Sequence, residues 1–152
     1  MSVPTKEEFF APLSIAGEDN FSPDMQWAWK NFGGKTLDEA YAFFSAHPDE
    51  AQEDFMWMPE GAFRYYFPVV DRYVRSLERP PEWEWFLPLQ LLPACLQMHI
   101  DGHEDLSGLH EPILALCDYV CTHLVHFAAD PAEQDEIGRR WTELRTRAME
   151  AP

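Results

Sequence analysis

Three groups of residues have types and spacings that could carry chemistry. His99 and His103 stand four apart and Glu104 follows them. Two histidines one helical turn apart, with a glutamate between them as base, are how a zinc-hydrolase helix presents its metal. Here Ile100 follows His99, and Gly102 interrupts any helix before His103. "HIDGHEDLSGLHEP" therefore reads as an acidic loop between helices, and a metal-dependent enzyme using His99 and His103 is the weakest reading of the chain. Cys117, Cys121, His123 and His126 form a second set of ligand types. Cys117 and Cys121 are one turn apart, but no second pair follows at finger-like spacing, so they read as buried reduced thiols. Carboxylates pair at Asp49–Glu50, Glu53–Asp54 and Glu104–Asp105. Neighbours on one helix point about 100° apart, so such pairs cannot face each other as an acid and a base would. They read as solvated or partner-facing acidic surface. With no phosphate loop, nucleophile elbow or dinucleotide fingerprint, no enzyme, metal site or cofactor is expected.

The elements that must position these residues read as helices throughout. "FSPDMQWAWKNFGG" starts with Ser22 as N-cap and Pro23 in the first turn, and ends at Gly33-Gly34. "TLDEAYAFFSAHP" opens with a capping box of Thr36 and Glu39 and stops before Pro48, with Leu37, Ala40 and Phe44 as its apolar face. "DEAQEDFMWM" is a shorter helix ending near Pro59. "GAFRYYFPVVDRYVRSL" carries Phe63, Tyr66, Phe67, Val70 and Tyr73 on one stripe and Arg64, Pro68, Asp71 and Arg75 opposite. Pro68 removes a helical hydrogen bond and should bend that helix. A buried helix is expected from Leu89 to His99 with Pro93 early in it. One further helix runs through "EPILALCDYVCTHLVHFAA", with Ile113, Leu116, Val120, Leu124 and Phe127 inward. A last one is capped by Asp130 with Glu133 and has Ile137, Trp141, Leu144 and Ala148 inward. The expectation is an all-α fold, a single compact domain over residues 1–152 of about six or seven helices around a proline-bent central helix.

The totals limit the partners. Twenty-seven acids against eleven bases give a net charge of −16. Twelve acids and three bases fall in residues 1–60, four of each in 61–100, and eleven acids and four bases in 101–152. No segment supplies the positive field that nucleic acid or an anionic membrane surface requires. A basic protein partner is favoured, because long-range attraction speeds encounter. No run approaches the ~20 apolar residues of a membrane span, the acidic N-terminus lacks an apolar leader, and three cysteines in apolar runs suit a reducing compartment. A cytoplasmic location is expected.

"NFGGKTLDEAYAFF", "QEDFMWMPEGAFRYYFPVVDRY" and "EWEWF" resemble a family of small, acidic, mostly uncharacterised bacterial proteins with an FGG-plus-helix opening and an AFRYYxP core, over about Trp29 to Leu77. Small acidic helical proteins of this type are similar to the immunity proteins that accompany secreted bacterial toxins. The resemblance implies a stoichiometric binder of a basic bacterial toxin or effector domain. The expected contacts are Asp49, Glu50, Glu53 and Asp54 with Trp57, the outward residues Arg64, Tyr65 and Arg75 of the central helix, and the loop acids Asp101, Glu104 and Asp105. Trp57, Trp83 and Trp85 are of the type interfaces favour as anchors, although core packing is the stronger reading for any one of them. The alternative is a structural or regulatory helical protein that self-associates as a homodimer.

Overall fold

The computed structural model describes residues 2–13, 17, 21–77, 86–102 and 104–151, with residues 86–88 described by their backbone alone. His103, Trp83 and Trp85 lie outside the described residues. The fold is all-α. Nine helices occur among the described residues: α1 Lys6–Phe10, α2 Pro23–Phe32, α3 Leu37–Ala46, α4 Pro48–Trp57, α5 Glu60–Ser76, α6 Phe86–Asp101, α7 His110–Thr122, α8 Leu124–Phe127 and α9 Pro131–Glu150. They group into two compact units, Met1–Val70 and Asp71–Pro152, with the boundary inside α5.

In the first unit the helix starts follow the expected local chemistry. Ser22 Oγ accepts the Met25 N–H at 3.2 Å. Thr36 accepts from Glu39 N–H while Glu39 accepts from Thr36 N–H, closing the capping box. The core is a run of phenyl rings: Phe32 meets Phe43, Phe55 and Tyr66 edge-on at centroid distances of 5.3–5.4 Å, the geometry that ring quadrupoles favour. The buried Tyr66 hydroxyl lies 2.7 Å from the carbonyl oxygens of both Phe32 and Lys35. Its one proton is shared within the turn that follows α2, where the Phe32 carbonyl also accepts the Lys35 N–H at 3.1 Å. α1, absent from the sequence-based expectation, is a single capped turn that buries Phe9 and Phe10. It presses its end against Gly61, whose N–H donates to the Ala11 carbonyl at 2.9 Å.

In the second unit α9 is the spine, and α6 and α7 both pack along it. Ile137, Trp141, Leu144 and Ala148 are buried on one stripe as expected. α6 contains Pro93, which has no N–H to give to the Leu89 carbonyl four residues back. The indole N–H of fully buried Trp141 donates to that carbonyl instead, at 2.8 Å, and Arg140 donates to the adjacent Gln90 carbonyl at 3.2 Å. Three boundaries differ from expectation. α6 begins earlier and ends later than Leu89–His99. The single helix expected across residues 111–129 breaks at His123, where the Thr122 hydroxyl donates to the Asp118 carbonyl and His123 Nδ1 lies 2.7 Å from the Tyr119 carbonyl oxygen, so side chains compete for the last turn. Asp130 caps α9 through Ala132 N–H at 2.9 Å, one position short of Glu133, so no reciprocal box forms.

An acidic cleft between two helices

α2 and α4 pack against each other in the first unit. Each turns a polar stripe toward the same space. From α4 come Glu50, Glu53, Asp54 and Trp57, spaced i, i+3, i+4 and i+7, which is one helical face. From α2 come Asp24, Trp27 and Asn31 at i, i+3 and i+7. These seven side chains line a cleft of about 300 Å³, within the range of small-ligand sites. Trp27 is 50% exposed and Trp57 37% exposed. Among the described residues these are the two exposed Phe, Tyr or Trp side chains.

The electrostatics centre on Asp54, which is only 7% exposed. The Asn31 side-chain amide donates to Asp54 Oδ2 at 2.7 Å and to Glu50 Oε1 at 3.2 Å. Burial, with Glu50, Glu53 and Asp24 nearby, pushes the Asp54 carboxyl up to about 6, against the lowering effect of the Asn31 bond. None of the four cleft carboxylates forms an ion pair with Lys or Arg among the described residues. Lys30 is nearby but lies over the Trp27 ring, its Nζ 4.3 Å from the centroid. Among the described residues no three His, Cys, Asp or Glu are arranged to hold a metal ion.

The structure sorts the expected contacts. Glu50, Glu53, Asp54 and Trp57 come together in the cleft, while Asp49 is exposed and is not among the residues lining it. Tyr65 is a correction: expected to face outward, it is 6% exposed, its ring edge-on to Tyr66 at 4.7 Å. α5 is inward on more of its circumference than one stripe, because Ala62, Val69 and Tyr65 are buried beside the predicted core positions. Arg64 is half-buried. Arg75 is exposed but held, with Nε 3.1 Å from both Asp71 oxygens and its guanidinium over Tyr119.

The loop acids do not form a free acidic face either. Asp101 pairs with Arg147 at 3.2 Å, Glu104 with the buried His99 at 2.5 Å, and Asp105 with Ser107 at 2.5 Å. Cys117 is buried and its thiol is pushed up to about 12 by desolvation, which fits an inert core thiol. The residues missed from sequence are Asp24, Trp27 and Asn31. Their signal was there, since an acid, a tryptophan and an amide at i, i+3 and i+7 make a polar face on α2 that the core does not need. No family model, curated protein or solved structure matches this chain.

Proposed function

We propose that the chain is a stoichiometric protein-binding module that covers a basic surface of another protein, and that it acts as an immunity protein neutralising a cognate bacterial toxin. The observation that carries this reading is the α2–α4 face, where four carboxylates without basic partners surround two exposed tryptophans. Charge of that kind speeds and orients encounter, while partly exposed aromatic rings supply the apolar area on which tight interfaces depend. A toxin acting on nucleic acid or another phosphate-bearing substrate has a basic cleft to be covered, and blocking it requires no turnover.

The test is co-purification with, and calorimetric titration against, the toxin-like product of a neighbouring gene. A complex with 1:1 stoichiometry, weakened at least about tenfold by Trp57→Ala, is expected of an interface anchor. No complex at micromolar concentrations would remove the reading. Self-association is the second reading, and one observation favours it: Leu91, Ala94 and Met98 form an exposed apolar stripe on α6. Sedimentation showing a dimer that Met98→Lys dissociates would support it.

A further inference from the structure

We propose that the α2–α4 cleft is a binding site for a guanidinium group on a flexible stem, the head of an arginine side chain presented by the protein partner. The inference rests on the binding-module reading above and specifies what its central contact recognises.

The hydrogen-bonding groups of the cleft are mostly acceptors. Both N–H bonds of the Asn31 amide are spent on Asp54 and Glu50. Apart from the indole N–H groups of Trp27 and Trp57, what remains facing the cleft is acceptors: the carboxylate oxygens of Asp24, Glu50, Glu53 and Asp54 and the Asn31 carbonyl. A cleft this rich in anionic acceptors selects a cationic ligand that donates. The cationic side chains meet that condition, and guanidinium meets it with five N–H groups in one plane.

Asp54 is more than nine-tenths buried and lines the cleft. Its Oδ2 accepts from Asn31, while Oδ1 accepts no hydrogen bond among the described residues. That oxygen keeps access to solvent, and in a residue otherwise buried it offers an entering donor a charge-assisted hydrogen bond.

The lining of the cleft also discriminates among cations. The carboxylates are spread around a space of about 300 Å³ and among the described residues no three acids converge as metal ligands, which favours an organic ion. Two tryptophans line the same space, and Lys30 lying over Trp27 shows that this indole already attracts a cation within the chain. Guanidinium is planar and weakly hydrated, stacks on indole and bonds carboxylates through two parallel N–H groups, so it uses both features where ammonium uses one.

The experiment follows the indole N–H signals of Trp27 and Trp57 by NMR while the intact chain is titrated with N-acetyl-arginine methylamide. The lysine amide and the neutral citrulline amide serve as comparisons. For a single side chain, binding on the order of millimolar is expected. Citrulline should be at least about tenfold weaker and lysine severalfold weaker. Trp57→Ala and Asp54→Asn should each abolish most of the shift, and Lys30→Met, which removes a competing positive charge, should strengthen binding. Equal response to arginine and citrulline, or binding unchanged in Trp57→Ala, would overturn the proposal. The same variants in the partner titration separate the two claims. A complex indifferent to Trp27→Ala and Trp57→Ala leaves the binding module standing and removes the guanidinium site. Arginine amide binding without any protein complex leaves the site standing as one for a small guanidine and removes the module.

Discussion

At the scale of single residues, Asp54 couples stability to binding. Its carboxyl titrates near 6 in the folded chain, whereas an exposed aspartate titrates near its reference value of 3.8. Between these values the folded state holds a proton that the unfolded state has released. Stability contributed by Asp54 is therefore full below about pH 4 and lost as pH rises through about 6. The groups that set this are Asn31, which lowers the value, and Glu50, Glu53 and Asp24, which raise it. Asp54→Asn should accordingly stabilise the chain at pH 8, by at most about 3 kcal/mol, with the difference shrinking to nothing near pH 4. Urea melts of the two proteins across this range would check it, and a variant less stable at pH 8 would contradict the cost assigned to the buried charge. The same substitution should weaken guanidinium binding, which is the signature of a residue kept for function at the expense of stability. Asp54 was one of four acids marked on α4 by residue type alone. Its burial was not legible, because it depends on α2 lying across that face.

At the scale of elements, glycine and proline are where local rules and packing disagree. Gly61 sits inside α5, where alanine would ordinarily be favoured by about 1 kcal/mol. A Cβ there would lie 2.0 Å from the Glu8 carbonyl oxygen, at the end of α1. Gly61→Ala should therefore destabilise the chain by about 1–3 kcal/mol, measurable by denaturant unfolding; a stabilised variant would mean that α1 does not rest on α5. Pro93 and Trp141 form a linked pair in the second unit, the indole standing in for the N–H that proline lacks. Trp141→Phe strands the buried Leu89 carbonyl and should cost about 1–3 kcal/mol for that bond, beyond the lost packing. In a Pro93→Ala background the helix supplies its own donor, so the cost should fall by about 1 kcal/mol in a double-mutant cycle. Additive costs would break the link. The helices were legible because Ser22, Thr36 and Asp130 act within one turn of themselves. α1 was not, since five residues make too short a period to recognise and its stability comes from Gly61, fifty positions on. The break at His123 was hidden for a related reason: the apolar period of "ILALCDYVCTHLVHF" continues through it.

At the scale of the whole molecule, the question is where the negative charge is left uncompensated. Each unit carries the same net charge: twelve acids and four bases over residues 1–70, fifteen and seven over 71–152, giving −8 for each. The disposition differs. In the second unit Asp71, Asp101, Asp118, Glu136 and Glu143 each sit against an arginine. In the first unit the four acids of the α2–α4 cleft have no such partner among the described residues. Surface ion pairs of this kind add little stability, but they do cancel field locally. The second unit also holds acids without an arginine partner, Glu111, Asp135 and Glu150 among them. Among the described residues, however, only in the cleft do four such acids share one space, so the attraction for a cationic partner should be strongest there. A tetra-arginine peptide tests this directly. Its affinity should fall by about tenfold or more between 50 and 500 mM salt, as screening shortens the reach of exposed charge from about 14 Å to 4 Å. Glu50→Lys should reproduce most of that loss at low salt. Glu143→Lys, the same change of charge on α9, should have an effect severalfold smaller. Equal losses from the two reversals would mean that the acidity acts as a diffuse solubilising charge, and would separate the −16 of the chain from any particular face.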